Sequence, residues 1–229
     1  MIFVRPRNEC GYPAHGYNYC DNTRPGKPAK GQHIMLKATS LAMQESESLA
    51  DGPWIQTASG LKFPLLDVNP AAILLHDIAH ALSMLCRFNA QCLRPYSVAE
   101  HSVHVSYEIA PHLALIGLMH DAAEAYLGDV PGPLKKCLPA FYGIENRLIQ
   151  AIGVKFGFVY PEKGTAEARE LKRADIQLLI DEKAVLMAPE PEPWPPAAPP
   201  TKNPDRIQCW PPAVAKAKFL ARCQELLPK

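Results

Sequence analysis

Apolar side chains recur at helical spacing along most of the chain. They do so from Ala71 to Arg87 and again from Thr165 to Met187, a stretch that also has high helix propensity. The residues from about Leu138 to Phe156 allow a further helix, and the stretch from about His112 to Leu127 is apolar nearly all round. A helix that is apolar on every side is buried, so we expect the last of these to be central to the core. Strand signals are otherwise scarce, and the pattern predicts a mainly α-helical bundle.

Two local signals refine this prediction. The segment WIQTASGLKFPLLDVNP, which begins at Trp54, mixes a short β-like run with turn residues and predicts a small hairpin near residues 54 to 66. Further on, Ser97 and Glu100 have the spacing of a capping box, with Pro95 just upstream, and they predict a helix that begins at Ser97. His101 then lies in the first turns of that helix.

The two ends of the chain have a different character. Residues 1 to about 45 show neither helical nor strand periodicity and are interpreted as a flexible extension, which leaves 46–229 as the folded domain. Residues 189–212 contain ten of the chain's 24 prolines and predict an extended surface loop. The amphipathic stretch from Ala213 to Leu227 predicts a helix that docks back on the domain. A ligand for a proline-binding module is the alternative interpretation of the loop.

Composition and charge exclude several classes of protein. Lys and Arg number 24 against 23 for Asp and Glu, so no overall charge attracts a nucleic acid polymer or an anionic membrane. No apolar run reaches the length of about 18 residues that a membrane span needs, and the N-terminus lacks a secretion signal, which indicates a cytoplasmic protein. The seven cysteines contain no Cys-x-x-Cys pair, and we expect most of them to be reduced.

One predicted helix places charged side chains in apolar surroundings. In GLMHDAAEAYLGDVPGPLKK, Glu124 follows His120 by four residues and Asp121 by three, so the three side chains can converge. His101 on the capped helix and Asp175 on the apolar stripe of the later helix are further candidates for the same site. Buried carboxylates and imidazoles need a partner, and a metal ion is one such partner.

Two imidazoles and two carboxylates, those of His101, His120, Asp121 and Asp175, suit one divalent metal ion. Nitrogen and oxygen ligands accept Mn, Co, Fe, Ni, Zn or, less well, Mg, and the residues alone do not select among these ions. Any one of the four residues alone would be better interpreted as a satisfied polar group of the core or surface. Their occurrence in order on three helices, with Glu124 alongside, favours the metal site.

In these motifs the sequence resembles the HD-domain metal-dependent phosphohydrolases, whose pattern is a His, a His-Asp pair and a later Asp. The segments LCRFNAQCLRPYSVAEHSVHVS and MHDAAEAYLGDVPGPLK resemble the 5'-deoxynucleotidase branch of that family and its phage and prophage relatives. The resemblance extends from about Trp54 to the C-terminus, and the first 45 or so residues have no counterpart in it. It implies an HD-domain helical bundle around a single metal site and, by analogy with its relatives, a homodimer.

The resemblance also implies roles for individual residues at the reaction centre. His101, His120, Asp121 and Asp175 would hold the metal. Glu124 would position or deprotonate the attacking water.

Further residues match substrate positions of the family. Asp129 would lie near the 5'-oxygen and the sugar, Arg87 would contact the phosphate, and Phe88 would lie against the sugar or base. His104 and Lys135 are candidate substrate contacts. The alternatives are a turn residue for Asp129, a helix-surface charge for Arg87 and an exposed cation near a helix end for Lys135.

A second His-Asp pair lies upstream, in LLHDIAHAL. The histidines that precede it belong to the unpatterned N-terminal stretch, and no turn like GDVP follows it. We therefore expect His76 and Asp77 on a helix surface, whereas His80 lines the pocket or caps the core.

The expected function is hydrolysis of the 5'-phosphoester of a 2'-deoxynucleotide, in the simplest case a deoxynucleoside 5'-monophosphate. All eight histidines precede Asp121, whereas dinuclear relatives carry further histidines between the His-Asp pair and the last Asp, so one metal is favoured. One rival is a deoxynucleoside triphosphate triphosphohydrolase, which would need extra cationic groups, with Lys135, Lys136, Arg94 and His104 as candidates. The other rival is a catalytically silent HD module that binds a nucleotide.

Overall fold

The computed structural model describes residues 52–193, 199–201 and 204–227, which all belong to the unit Ser48–Lys229. The predicted N-terminal extension, residues 1–45, lies outside the described residues. The described part is mainly helical, as the sequence predicts. Its helices are α1 (Leu75–Met84), α2 (Val98–Glu108), α3 (Ala114–Met119), α4 (Glu124–Leu127), α5 (Gly132–Lys135), α6 (Pro139–Phe156), α7 (Ala166–Leu186) and α8 (Pro212–Leu226).

A two-stranded antiparallel hairpin precedes the helices and confirms the prediction for residues 54 to 66. Strand β1 (Trp54–Gln56) pairs with β2 (Lys62–Pro64), with Ile55 opposite Phe63. Phe63 is buried and stacks on the ring of Tyr126, with the ring centroids 4.1 Å apart. The hairpin therefore covers the residues that follow the His-Asp pair of the candidate site.

The upstream His-Asp pair has a structural role in this hairpin. His76 is exposed, as expected, but Asp77 is buried, so the expectation of a surface position for Asp77 is wrong. The backbone N–H of Ser59 donates to Asp77 Oδ1 at 2.9 Å, and the Ser59 hydroxyl donates to the same oxygen at 2.7 Å. The Asp77 carboxylate thus joins the hairpin turn to the first turn of α1. His80 lines a separate cavity of about 440 Å³ beside β1.

Helix α1 is shorter than predicted at its C-terminal end, which places Arg87 outside any helix. After Met84 the chain becomes extended and pairs with the residues that lead into α2. Val98 N–H donates to the Leu85 carbonyl at 3.0 Å and Arg87 N–H to the Tyr96 carbonyl at 2.9 Å. These bonds fix the position of Arg87 relative to the start of α2.

Helix α2 is the central helix of the described structure and contacts α1, α3, α7 and α8. Its N-cap is confirmed, because the Ser97 hydroxyl accepts the Glu100 N–H at 3.1 Å. The other half of the predicted capping box is wrong. The buried Glu100 carboxylate accepts the backbone N–H groups of residues 208–210 instead, because that segment returns along α2 with three donors in need of acceptors.

The stretch predicted as one helix from His112 to Leu127 is broken into α3 and α4. Between them, Ala122 N–H bonds to the Met119 carbonyl and Glu124 N–H to the Asp121 carbonyl, which are the three-residue steps of a tighter turn. Successive residues of a regular α-helix point about 100° apart. The tight turn therefore changes the directions of His120 and Asp121 relative to a continuous helix.

The two C-terminal helices agree with their predictions. Helix α7 begins after the Thr165 N-cap, whose side chain accepts the Ala168 N–H at 3.2 Å. Helix α8 docks on α1 and α2 by burying Ala215, Phe219 and Cys223. The loop before α8 is less superficial than predicted where it is described, since Ile207 is buried.

Within the described ranges, the helices are all too short or too polar to cross a membrane.

A close approach of α2 and α3 sets the distance between α2, which carries His101, and the turn after α3, which carries His120. A Cβ atom built on Gly117 would lie 2.9 Å from Ile109 Cγ2 and 3.3 Å from the Cα of Ser106. Those distances are shorter than an ordinary van der Waals contact. A side chain at position 117 would therefore push α3 away from α2.

We predict that Gly117→Ala lowers the free energy of unfolding by about 1–3 kcal/mol, since the methyl group overpacks this contact. Gly143→Ala is the matched control, because Gly143 also lies in a helix and its Cβ would meet nothing closer than the Arg147 Nη1 at 4.0 Å. The control should gain about 0.5–1 kcal/mol from helix propensity. Urea unfolding measures the free energy of unfolding of both variants. Equal changes in this free energy at the two positions would contradict the prediction.

Candidate metal centre

Four side chains on three helical elements converge at the centre of the described structure. His101 lies on α2, His120 and Asp121 lie in the tight turn after α3, and Asp175 lies on α7. Ligand atoms of His101, His120 and Asp175 all lie within 4.8 Å of one another, so this group can hold a metal ion.

The separations between individual ligand atoms are short. His101 Nε2 lies 3.2 Å from His120 Nε2 and 3.5 Å from Asp175 Oδ1. Asp121 Oδ2 lies 3.1 Å from His120 Nε2 and 3.6 Å from His101 Nε2, so Asp121 is next to the group but is not among the three residues whose ligand atoms all lie within 4.8 Å of one another. Metal–ligand distances of about 2.1 Å place neighbouring ligand atoms about 3.0 Å apart at right angles and about 3.4 Å apart at tetrahedral angles. The observed separations match those of ligands around one ion.

Hydrogen bonds fix which nitrogen of each imidazole faces the centre. His120 Nδ1 lies 2.8 Å from the Gly117 carbonyl, which can only accept, so Nδ1 carries the proton. His101 Nδ1 lies 2.7 Å from Glu182 Oε1 and donates to that carboxylate.

When both rings are neutral, the two Nε2 atoms present lone pairs to each other and to two carboxylate oxygens. Burial and Arg87 lower the pKa of His101, but Glu182 and Asp175 raise it to about 9, so without a metal ion His101 Nε2 can carry a proton. Either a proton or a metal ion between these atoms would satisfy them, and the Nδ1 hydrogen bonds orient both rings for a metal ion.

Glu182 is the main residue of the site that the sequence interpretation missed. It is fully buried, and its second oxygen, Oε2, accepts the Arg87 Nε–H at 3.0 Å. Burial alone would raise the pKa of Glu182, but Arg87 and His101 hold it below its usual range. A signal was present, because Glu182 lies seven residues after Asp175 and four after Leu178, on the same stripe of α7. The sequence does not show that Glu182 binds Arg87 and His101.

Arg87 lies inside the site rather than on a helix surface. Besides its bond to Glu182, its Nη1 lies 3.5 Å from Asp121 Oδ2. Burial would lower the pKa of Arg87, yet Glu182 and Asp121 raise it above its ordinary value, and the guanidinium stays charged. The guanidinium therefore connects Asp121, a candidate metal ligand, with Glu182, the carboxylate that orients His101.

Glu124 occupies a second acidic position beside the cluster. It is buried, its Oε1 lies 3.5 Å from Lys135 Nζ, and its Oε2 has no hydrogen-bond partner. Burial raises the pKa of Glu124 to about 10, and the negative charges of Asp121 and Asp129 add to this effect. Burial also raises the pKa of Asp129. A divalent cation near these carboxyl groups would favour their ionised forms.

Two predicted substrate contacts lie elsewhere. Phe88 packs against the cluster of Tyr96, Leu186 and Ile207. His104 has its ring 5.1 Å from that of Trp210, and its Nε2 lies 3.7 Å from Glu100 Oε1. Neither side chain lines the cavity next to the metal-ligand candidates, and Arg87, Glu124 and Asp129 do not line it either. The Phe88 ring does lie near the site, because its centroid is 5.6 Å from the guanidinium carbon of Arg87.

A cavity of about 940 Å³ opens on one side of the cluster. Its walls include three candidate ligands, two tyrosines and three lysines: His120, Asp121, Asp175, Tyr142, Tyr160, Lys135, Lys163 and Lys172. Lys135 Nζ lies 2.6 Å from Glu145 Oε1, and Lys172 Nζ lies 2.8 Å from Asp175 Oδ2. The cavity thus combines apolar and aromatic surface with cationic groups near the ligand atoms.

The fold and this cluster define a mainly helical protein with a candidate metal centre of histidine and aspartate side chains. The chain belongs to the family of the uncharacterized protein YfdR of Escherichia coli (strain K12). The two are 37% identical over 142 residues, which are 62% of this chain and 77% of the E. coli protein. An uncharacterized protein of Rhodobacter capsulatus is also 37% identical, over 114 residues that are 45% of this chain and 58% of that protein. No family model matches the chain.

We predict that Glu182→Gln lowers the affinity for a divalent metal by about 10- to 100-fold, because the amide no longer orients and polarises His101. Titration calorimetry with Mn or Zn measures the change. Asp181→Asn is the matched control, since the neighbouring Asp181 is equally buried but binds Thr201 and Arg206 rather than the cluster. Equal losses of affinity in the two variants would mean that Glu182 acts only through stability.

Proposed function

We propose that the protein is an HD-domain metal-dependent phosphohydrolase that cleaves the 5'-phosphoester of 2'-deoxynucleotides. Its simplest substrate is a deoxynucleoside 5'-monophosphate, and the products are the deoxynucleoside and phosphate. The observation that carries the proposal is the convergence of two imidazole lone pairs and two carboxylates beside a buried arginine. This arrangement supports an ion and an anionic group in one site.

The donor set fits a hard or borderline divalent ion held by His101, His120, Asp121 and Asp175. When bound, such an ion supplies positive charge for phosphoryl oxygens and lowers the pKa of water. The chain's own residues would then position the substrate and accept a proton from the attacking water.

Arg87 is the residue best suited to bind a phosphoryl group. Its guanidinium is held by Glu182 through Nε and lies near Asp121 through Nη1, so its plane is fixed before substrate arrives. A preorganised guanidinium neutralises phosphate charge in the ground state and as it redistributes in the transition state.

Glu124 is the proposed proton acceptor. Its Oε2 is buried without a partner, which leaves this oxygen available to accept a proton from the attacking water. Lys135 lies against the other oxygen, Oε1, but burial keeps the pKa of Glu124 at about 10, so Glu124 can accept a proton only when a bound cation favours its ionised form. Asp129, in the turn after α4, would act near the leaving 5'-oxygen and the sugar.

The cavity supports a nucleotide-sized substrate. Its volume of about 940 Å³ is within the range of about 300–1,000 Å³ found for small-molecule sites. Tyr142 and Tyr160 line it and can lie against a base. Tyr96 is buried and unavailable for this role.

A deoxynucleoside triphosphate triphosphohydrolase is the second candidate, and one observation favours it. Lys163 and Lys172 line the cavity in addition to Lys135, so cations are present for further phosphate groups. Against it, the side chains of Lys135 and Lys172 are already paired with Glu145 and Asp175. A catalytically silent nucleotide-binding module is less well supported, because such a module has no use for the unpaired Glu124 oxygen.

We expect the purified full chain, incubated with Mn, Co or Mg, to release phosphate from deoxynucleoside 5'-monophosphates and not from the di- or triphosphates. Glu124→Gln should lower the rate by about 10²–10⁴-fold, because the proton acceptor is lost while the substrate contacts remain. Glu162→Gln is the control, since Glu162 lines the cavity at an exposed position. Chromatography identifies the products.

Release of triphosphate from the triphosphates would support the second candidate instead. Tight nucleotide binding without turnover, with each of the three metals, would contradict both hydrolase candidates and support the binding module.

A further inference from the structure

Two thiols face each other directly beside the Arg87 loop, which we define as residues 87–91. Cys86 Sγ and Cys92 Sγ lie 3.4 Å apart, and both cysteines are free and partly exposed. Cys86 precedes the loop and Cys92 follows it. The proposed hydrolytic function assigns no role to either thiol.

The backbone holds both ends of this loop in place. On the Cys86 side, Cys86 forms a bridge with Ser97, and the Arg87 N–H donates to the Tyr96 carbonyl. On the Cys92 side, the Leu93 N–H donates to the Leu186 carbonyl of α7 at 2.8 Å. The two sulfur atoms are therefore brought together by the fold and not only by their proximity in sequence.

The loop between the thiols has an unusual backbone. Phe88, Asn89 and Ala90 have φ angles of 58°, 51° and 59°, so three successive residues other than glycine lie in the left-handed region. Such conformations persist only where the surrounding structure imposes them. This left-handed turn reverses the chain within a few residues and brings Cys92 back towards Cys86.

A disulfide explains this pair better than a metal site does. In the described part of the chain, the group of three or more metal-ligating side chains is at His101, His120 and Asp175, and not at the thiols. A soft metal ion would need further ligands. A disulfide needs only a sulfur–sulfur distance of about 2.05 Å, so the two atoms must approach by about 1.4 Å.

We propose that Cys86 and Cys92 are a reversible oxidation site that forms an intramolecular disulfide with a hydroperoxide as oxidant. One thiolate sulfur attacks the peroxide O–O bond and becomes a sulfenic acid as the first oxygen leaves as water. The second thiolate attacks that sulfur, forms the S–S bond and releases the second water. The two thiols lose two electrons and two protons, and hydrogen peroxide is reduced to two molecules of water.

Closure changes the surroundings of Arg87. The Cys92 thiol donates to the Arg87 carbonyl at 3.8 Å in the reduced protein, and the disulfide removes that proton. The bond also closes a ring that contains the whole Arg87 loop. Oxidation therefore acts on the backbone that positions the guanidinium between Glu182 and Asp121.

The sequence makes the cross-link easy to detect. Trypsin cleaves after Lys62, Arg87 and Lys135, whereas Arg94 is followed by proline. The peptides 63–87 and 88–135 therefore each contain one cysteine, Cys86 and Cys92 respectively. A disulfide between them joins two peptides that are otherwise separate.

The test uses the reduced full chain treated with hydrogen peroxide, alkylated and digested without reduction. Mass spectrometry should find peptide 63–87 joined to 88–135 in wild type and in the Cys137→Ser control, and not in Cys92→Ser. Dithiothreitol should release the two peptides. The cross-link should form about tenfold faster in the folded protein than in guanidinium, because the fold holds the sulfurs together.

Three results would overturn the proposal. These are oxidation of both thiols to sulfinic or sulfonic acids without a cross-link, pairing of either thiol with another cysteine such as Cys209, and equal rates in the folded and unfolded chain. A second readout rests on the proposed function: peroxide should change the rate of phosphoester hydrolysis in wild type but not in Cys92→Ser. If the cross-link forms but peroxide does not change the hydrolysis rate, either the disulfide does not affect Arg87 or the proposed activity is wrong. The cross-link result would still stand.

Discussion

The His101 and His120 Nε2 atoms, which face each other 3.2 Å apart, are the constraint on which the rest of the site depends. Neither ring can turn to separate these two nitrogens, because His120 Nδ1–H donates to the Gly117 carbonyl and His101 Nδ1–H donates to Glu182. The close contact of α2 and α3 at Gly117 keeps the rings at this separation. A metal ion or a proton between the two Nε2 atoms would satisfy both, and a metal ion would also offset the negative charge of the adjacent Asp121 and Asp175 carboxylates.

The charges around this centre support the same conclusion. Asp121, Asp175 and Glu182 contribute three carboxylates, and Arg87 contributes one guanidinium within the same network. Lys172 contributes a second cation through its ion pair with Asp175, so the network keeps a net negative charge that a divalent ion would offset. Helix α7 supplies both Asp175 and Glu182, two turns apart on one face, and so ties the metal-ligand candidates to the Arg87 loop. A metal ion held here would therefore be coupled to the position of Arg87 and to the packing of α7 through a single buried network.

The sequence predicts the helices and the candidate ligands better than the contacts between them. Helical periodicity locates α6 and α7 closely, and the His-Asp pattern identifies residues that the structure brings together. The break between α3 and α4 is not visible in the sequence, because an α-helix and a tighter turn bury similar apolar residues. Glu100 and Glu182 are acidic residues whose roles depend on partners about 80 to 110 positions away. Such long-range pairing leaves no periodic signal, and the left-handed turn after Arg87 likewise has no glycine to mark it.

X-ray absorption spectroscopy of the protein loaded with one equivalent of zinc tests the central claim most directly. The account predicts a single bound ion with two imidazole nitrogens at about 2.0–2.1 Å and oxygen ligands at about 2.0–2.2 Å. His101→Ala should remove one of the two imidazole contributions. A bound ion with no imidazole scattering, or a first shell that is unchanged in His101→Ala, would contradict it.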